Sequence, residues 1–303
     1  MKSTPKKKKL SALKILQDSE LHYRRLFEAA RDGILILDAE TGLIIDVNPF
    51  LITMLGYSRE ELLEKKLWEV GAFQDIEASK NSFEELRRNE YIRYDDLPLK
   101  DRDGRLIQVE FISNMYLVGN KKVIQCNIRD ITQRKRDKER LEYISIHDSL
   151  TGVYNYTFFQ EEMSRLERGR LFPVSIVMVD VDGLKATNDQ YGHAAGDILL
   201  RRTGQVLVES FRAEDVVARI GGDEFAVLLP GTDSPALEKA MNRVREILAM
   251  QNNLVPGPAL SISVGGATGE QSLVDTLNAA DTCMYQEKQQ KGRQTDKKTL
   301  SKA

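Results

Sequence analysis

The segment Ile-Gly-Gly-Asp-Glu-Phe-Ala-Val at 220–227 sets two glycines and two carboxylates into an otherwise apolar, strand-like run. Glycines accept positive φ at little steric cost, and short glycine turns match the twist of paired strands, so Gly221 and Gly222 are predicted to form a hairpin turn. Asp223 and Glu224 would lie at its tip, where carboxylates can bind a hard cation and the missing side chains leave room for a phosphate. Alone, the segment fits a solvated hairpin tip equally well.

A second acidic pair follows the apolar run Val-Ser-Ile-Val-Met-Val at 174–179, a pattern typical of a strand that is buried on both faces. The period-2 geometry of a strand places Asp180 and Asp182 on the same side, and Gly183 opens a turn or a helix start whose N–H groups suit phosphate. Lys185 adds the positive charge that a triphosphate requires. Two acid pairs at strand ends predict a shared magnesium site, because Mg²⁺ prefers oxygen ligands.

The bulk composition restricts the class of protein. With 303 residues, 41% hydrophobic and 30% charged, the chain is long enough for two globular domains. No apolar run reaches the length of a membrane span, no signal peptide is evident, and the net charge of -2 gives no case for nucleic-acid binding. Two widely separated cysteines, Cys126 and Cys283, indicate a reducing compartment. A cytoplasmic protein without membrane or nucleic-acid partners is expected.

The N-terminal half alternates short strands with helical segments. Leucines at near-helical spacing predict an amphipathic helix over 10–30, preceded by a solvated basic tail. Strands at 33–38 and 43–47 are predicted to form a hairpin. Short helices are predicted to follow it, the first capped by Asn48 with Pro49 at its first position, and 91–131 has the pattern of three antiparallel strands. Two strands, small helices and three strands predict an α+β module.

This module resembles PAS sensor domains over residues 21–132, with 1–20 as the basic tail and N-terminal helix. The resemblance rests on Asp32-Gly33-Ile34, Val47-Asn48-Pro49, Leu55-Gly-Tyr57 and Asp130-Ile-Thr132. It implies an antiparallel five-stranded sheet with short helices, and a role in small-ligand binding or dimer formation. The ligand is unknown. His22, at the entrance, is the one histidine of this region, which argues against haem, and the helices after the hairpin contain no cysteine for covalent flavin chemistry.

Residues 133–147 are highly charged and lack glycine and proline, which predicts a helical linker. Ile131, Leu141 and Ile144 give only a sparse apolar stripe, too short to establish a coiled coil. Two interpretations stay open: a signalling rod between a dimerising sensor and the second domain, or a solvated spacer.

The second domain resembles, over residues 148–293, the diguanylate cyclase domain named for its Gly-Gly-Asp-Glu-Phe sequence (GGDEF). The matching segments are Asp148-Ser-Leu-Thr151, Asp180-Val-Asp-Gly-Leu-Lys185, Asn188-Asp189, Gly196-Asp197, Arg219-Ile-Gly-Gly-Asp-Glu-Phe225 and Ser263-Val-Gly265. The resemblance implies an α+β fold of the nucleotidyl-cyclase or palm type, an antiparallel-centred sheet flanked by helices. Apolar strands at 174–180, 215–220, 225–230 and 259–265 and helical stretches near 195–210, 235–250 and 272–290 agree with it. Residues 294–303 are expected to be a disordered tail.

The resemblance also implies roles for individual residues. Asp180, the Val181 carbonyl and Asp223 would hold Mg²⁺, with Mn²⁺ as an alternative, and Glu224 would act at the metal or at the reacting hydroxyl. Lys185 would contact phosphate. The other substrate contacts would come from Gly183, Leu184, Gly221, Gly222 and Lys288, whereas the spacing leaves the role of Arg293 open.

Asn188 and Asp197 match the positions that bind the guanine base. Guanine presents N1–H and an amino group side by side, which a carboxylate can accept, whereas adenine presents an acceptor at N1. GTP rather than ATP is therefore expected. Arg212 and Asp215 match an inhibitory product site, in which an arginine fork holds phosphate, with Arg219 as a second arginine.

The resulting hypothesis is a PAS-regulated diguanylate cyclase that condenses two GTP into cyclic di-GMP and two pyrophosphates. One site binds one GTP, so a homodimer is required. Two alternatives stay open: a non-catalytic receptor for GTP or cyclic di-GMP, and a synthase of mixed cyclic dinucleotides. Retained acids and a lysine at the site argue against the receptor.

Overall fold

The chain divides into two units, Met1–Glu139 and Arg140–Ala303. The computed structural model describes residues 5–70, 76–169, 172–254 and 258–300, without the side chains of 5–12, 76–82 and 294–300. Within those residues no helix is both long and apolar enough to cross a bilayer.

The first unit is built on an antiparallel sheet of five strands in the order β2-β1-β5-β4-β3, which confirms the predicted sheet. Its elements are α1 (Pro5–Ala29), β1 (Gly33–Asp38), β2 (Ile44–Val47), α2 (Pro49–Leu55), α3 (Arg59–Leu62), a 3₁₀ turn (Leu67–Glu69), α4 (Ile76–Asn89), β3 (Tyr91–Lys100), β4 (Leu106–Val118) and β5 (Lys121–Asp130). The helix α5 (Thr132–Ile146) then leads into the second unit.

Asn48 shows how the sequence fixes this unit locally. Its side-chain oxygen caps α2 by accepting from the N–H of Leu51 at 3.1 Å, as the sequence predicted, and it also accepts from Ile34 at 2.9 Å. Its amide group donates to the carbonyls of Phe27 and Asp32 at 3.2 and 2.9 Å. The fully buried side chain therefore joins α1, β1 and α2 with satisfied hydrogen bonds.

The second unit has a four-stranded antiparallel sheet in the order β7-β8-β6-β9, flanked by helices as predicted. Its elements are α6 (Tyr156–Arg168), β6 (Val174–Val181), α7 (Leu184–Tyr191), α8 (His193–Ser210), β7 (Val216–Arg219), β8 (Glu224–Pro230), α9 (Ser234–Leu254), β9 (Ile262–Gly269) and α10 (Leu273–Leu300). All eight residues of β6 are buried. Alternate residues join two cores, one around Val177 and Val179 and one around Ile176 and Met178, so the strand is buried on both faces.

The structure departs from the sequence predictions at both ends. Helix α1 already begins at Pro5, where a basic tail was predicted, because proline suits the first helical turn and lysine is a good helix former. Helix α10 continues through residues 294–300, where a disordered tail was predicted, since no glycine or proline follows Gly292 to end it. The tail predictions for residues 1–4 and 301–303 lie outside the described residues.

Candidate functional site

Three acidic residues meet where β6 ends. Asp180 lies opposite Glu224 of β8 and opposite Ser263 of β9 in the strand register. The N–H of Val181 donates to the main-chain oxygen of Asp223 at 3.0 Å. Directly opposed residues in an antiparallel pair share one face of the sheet, so the two acid segments of the sequence form one cluster.

The two glycines between β7 and β8 differ in their surroundings, and neither has the predicted backbone conformation. Neither Gly221 nor Gly222 has a positive φ, so that part of the prediction was wrong. A Cβ on Gly221 would lie 2.7 Å from Oε2 of Glu224, so a side chain at this position would displace that carboxylate. A Cβ on Gly222 would meet no atom within 4 Å, so this glycine borders open space.

The acids of the cluster raise one another's proton affinity. Burial, and then the negative charges of Asp223 and Asp182, raise the pKa of Asp180. Burial, followed by Asp223, Asp180 and Asp281, likewise raises the pKa of Glu224. The buried Oδ1 of Asp180 accepts no hydrogen bond, and its charged partner is the ammonium of Lys288 at 2.7 Å. Surplus negative charge among partly buried acids is a condition that a cation relieves.

Two lysines of α10 reach this end of β6. Nζ of Lys288 lies 2.7 Å from both carboxylate oxygens of Asp180 and hydrogen-bonds to one of them. Burial alone would lower the pKa of Lys288, but its bond to Asp180 outweighs burial and raises the pKa. One turn later, Nζ of Lys291 lies 3.5 Å from Asp182 and 3.0 Å from Glu287. The sequence offered no role for Lys291.

The predicted base-binding residues lie on α7 and α8. Gly183 is the N-cap residue before α7 and has a left-handed conformation with φ 72°, and Lys185 is exposed in the first turn of the helix. The side-chain oxygen of Asn188 is buried without a hydrogen-bond partner, and a Cβ on Gly196 would overlap it. The carboxylate of Asp197 is about half exposed and 3.9 Å from an arginine of the same helix. Asn188 therefore has an unused acceptor, which occupies space that is free because residue 196 is glycine.

Comparison with protein families identifies both halves of the chain. A PAS domain model matches residues 31–133, and the model described as "Diguanylate cyclase, GGDEF domain" matches residues 145–294. The chain is a PAS domain followed by a GGDEF domain. The predicted architecture is therefore confirmed.

Three relatives with different descriptions are similar to all or part of this chain. An "Uncharacterized signaling protein" of Caulobacter vibrioides is 30% identical over 272 residues, 86% of this chain and 32% of the relative. "Diguanylate cyclase DgcM" of Escherichia coli is 27% identical over 277 residues, 88% of this chain and 66% of the relative. "Cyclic di-GMP phosphodiesterase PdeR" of E. coli is 34% identical over 176 residues, 56% of this chain and 26% of the relative. The chain thus spans between about a quarter and two thirds of these relatives.

The predicted inhibitory site of the GGDEF domain includes an arginine that the sequence did not indicate. The N–H of Arg212 donates to Asp215 at 2.8 Å. Both residues line a cavity of about 190 Å³ together with Lys239 and Arg243 of α9. The pKa of Asp215 is raised, and burial is the largest cause. Arg212 and Arg243 act in the opposite direction and lower it in part. Arg243 lies far along the chain from the Arg-x-x-Asp pattern, so only the fold could bring it here.

Arg219 lies in different surroundings. One of its guanidinium nitrogens contacts both oxygens of Asp148 at 3.2 and 3.3 Å, and another donates to the carbonyl of Gly222 at 2.7 Å. Its hydrogen bonds therefore stay within the chain, and among the described residues none joins it to Arg212 or Asp215. Its predicted place in the inhibitory site stays a prediction.

The acid cluster fits a divalent ion that is shared with a substrate. No group of three or more histidine, cysteine or acidic side chains in the described parts of the chain is arranged to enclose a metal ion. Asp180 and Asp223 with the carbonyl of Val181 would instead supply three oxygens on one side. Mg²⁺ is usually held in this way, by one or two carboxylates together with water and substrate phosphates.

Proposed function

We propose that the protein is a PAS-regulated diguanylate cyclase that converts two GTP into cyclic di-GMP and two pyrophosphates. The observation that carries the proposal is the cluster of Asp180, Asp223 and Glu224, in which the strand register places Asp180 opposite Glu224, and burial together with the neighbouring acids raises the pKa of both. A pure nucleotide receptor has no need of such a cluster.

In this proposal Asp180, Asp223 and the Val181 carbonyl hold Mg²⁺ or Mn²⁺, which neutralises phosphate charge and aligns the reacting oxygens when bound. The 3′-oxygen of one GTP forms a bond to the α-phosphorus of the other, and the bond to the β-phosphate oxygen breaks. Pyrophosphate leaves with the electron pair. A second, identical step closes the ring.

The remaining residues bind, orient and move a proton. Glu224 accepts the proton of the 3′-hydroxyl, a role for which its raised pKa suits it. Lys185 and Lys288 bind the phosphates, and the main chain at Gly183 and Leu184 completes the phosphate contacts. The open space beside Gly222, next to Gly221 in the turn, leaves room for the nucleotide.

Asn188 and Asp197 bind the guanine base. The buried oxygen of Asn188 lacks a partner in the chain, and an unpaired buried acceptor favours a ligand that donates to it. The carboxylate of Asp197 would accept from N1–H and the amino group of guanine. Because adenine has an acceptor at N1, the pair selects GTP.

The reaction requires a homodimer, because each GGDEF domain binds one GTP and the two must meet. The PAS domain and α5 would set their geometry, with an unassigned signal. Product inhibition is proposed at the cavity of Arg212 and Asp215, with Arg243 as the second arginine instead of Arg219, since Arg243 lines that cavity. Arginine forks bind phosphate through paired hydrogen bonds.

The test is to incubate protein freed of bound nucleotide with Mg²⁺ and GTP, ATP or both, and to identify the products by mass. Cyclic di-GMP from GTP alone supports the proposal. A mixed cyclic dinucleotide would indicate the alternative synthase, and binding without turnover in a dimer would indicate a receptor. Asp223→Asn should abolish product formation, whereas Asp233→Asn, at the start of α9, serves as the matched control.

A further inference from the structure

Lys288 occupies the cation-binding side of Asp180. Its Nζ is 2.7 Å from both carboxylate oxygens, the position that a small cation takes when it bridges them. The carboxylate is 6% exposed and the lysine side chain 42% exposed, so the acid is fixed in the protein while the lysine extends to it from the surface. The ammonium is therefore the charge that neutralises Asp180 without nucleotide.

We propose that Lys288 is a resident counter-ion that competes with the metal for Asp180, and that a nucleotide triphosphate removes this competition by attracting the same ammonium. The inference rests on the proposed function in that Asp180 is taken as the metal ligand. Its consequence is that metal and nucleotide bind with positive coupling through one side chain.

The chemistry of lysine makes this exchange feasible. Its compact ammonium on a flexible stem can leave one anion for another, and a triphosphate offers several. Asp180 is buried among other acids, so loss of its partner without replacement is unfavourable. Departure of the lysine and arrival of a metal ion should therefore occur together. By linkage, the nucleotide then strengthens metal binding as much as the metal strengthens nucleotide binding.

Lys291 provides the matched control. It carries the same charge on the same helix, one turn further on, and its ammonium contacts Asp182, Glu287 and the carbonyl of Ile262. A glutamine at either position removes one positive charge near the cluster. Only the change at Lys288 also vacates the oxygens of Asp180.

The experiment measures Mn²⁺ binding by electron paramagnetic resonance in the nucleotide-free full chain, as wild type, Lys288→Gln and Lys291→Gln, with circular dichroism to verify folding. Without nucleotide, Lys288→Gln should bind Mn²⁺ about tenfold more tightly than wild type, the factor typical of one charge-assisted hydrogen bond. Lys291→Gln should change the affinity by less than about threefold. A GTP analogue with a methylene bridge between its α- and β-phosphates should tighten Mn²⁺ binding more in wild type than in Lys288→Gln.

Unchanged or weaker Mn²⁺ binding by Lys288→Gln would overturn the inference, and so would equal tightening by both variants, since that would indicate a general charge effect. Failure of all three proteins to bind Mn²⁺ would overturn it together with the metal assignment. Failure of the proposed function is separate: it would appear as the expected Mn²⁺ results together with no cyclic di-GMP from GTP.

Discussion

Replacing Asp148 by asparagine should destabilise the GGDEF unit through loss of its ion pair with Arg219. The two side chains are only 22% and 16% exposed, so water screens their attraction poorly. The asparagine oxygen can still accept the bonds that Thr151 donates from its N–H at 2.9 Å and its hydroxyl at 2.6 Å. The substitution therefore removes the charge while retaining the local turn.

The expected magnitude follows from the geometry. At 3.2 Å and an effective dielectric constant near 20, the Coulomb attraction is about 5 kcal/mol, an upper limit that desolvation reduces. A hydrogen bond between charged groups contributes about 1.5–3 kcal/mol net, so a loss of about 2 kcal/mol is expected. For a unit of this size, that lowers the melting temperature by about 4–8 °C.

Thermal unfolding of the full chain, followed by circular dichroism, measures this loss. Trp68 is the single tryptophan and belongs to the PAS unit, so its fluorescence reports unfolding of that unit and serves as the internal reference. A double-mutant cycle with Arg219→Gln isolates the pair, because it cancels the separate bond of Arg219 to Gly222. A coupling energy below about 0.5 kcal/mol would refute the reasoning.

The effect should depend on pH in a defined direction. Burial alone would raise the pKa of Asp148, but hydrogen bonds from Thr151 and the charge of Arg219 outweigh burial and lower it. A group with a lowered pKa stabilises the fold above its unfolded pKa, about 3.9, and loses that contribution as the pH falls through its folded pKa. The difference in the free energy of unfolding between wild type and Asp148→Asn should have its full value at pH 7 and become smaller below about pH 4.

Three further substitution and labelling results are expected. Asn48→Ala should destabilise the PAS unit by about 2–4 kcal/mol in urea, because four main-chain groups, two of them in buried hydrogen bonds, lose their partner, and a loss below about 1 kcal/mol would contradict this role. Gly265→Ala should destabilise the GGDEF unit by more than about 3 kcal/mol, because the added Cβ would overlap the main chain of α10. Gly222→Ala is the control: a Cβ at that position faces open space, so the substitution should be tolerated in the same assay. Iodoacetamide at pH 8 should label exposed Cys283 but not Cys126, since burial raises the pKa of Cys126 to about 12; mass spectrometry would reveal native labelling of Cys126 as a contradiction.

The elements that the sequence predicted well have signals confined to a few neighbouring residues. A continuous apolar run predicted β6, and Asn48 before a proline predicted the start of α2. Helix α6 was not predicted, although its sequence carries signals of the same kind. Asn155 caps it by accepting from the N–H of Phe158 at 3.0 Å, and the buried Phe159 and Leu166 lie seven positions apart on one face. The second hydrogen bond of Asn48, to Ile34, had no local signal because it depends on the sheet.

The residues of the candidate site show the same distinction between those with a local sequence signal and those that only the fold brings together. The types and spacing of Asp180 and Asp223 predicted a metal site, because two acid pairs, each at the end of an apolar strand, offer the oxygen ligands that Mg²⁺ prefers. Arg243 and Lys291 escaped detection because charged residues on helices most often face solvent. Only the packing of α9 and α10 against the sheet places these cations at the two proposed ligand sites.

Arg219 shows why residue type and spacing alone could not assign every role. An arginine two positions before a glycine turn can bind a phosphate ligand, and it can equally well hydrogen-bond to the chain and close the turn, since both use the same guanidinium donors. The choice depends on whether an acid lies within reach. Asp148, 71 positions earlier, is that acid, and the second donor group goes to the carbonyl of Gly222.

Two of the three guanidinium nitrogens of Arg219 are thereby used within the chain, and the third, Nε, is buried without a partner. A phosphate would have to break the Asp148 pair to bind Arg219, whereas Arg243 already lines the cavity beside Asp215. The same unfolding cycle that measures the Asp148 pair therefore also measures how much binding energy a ligand would need to recruit Arg219.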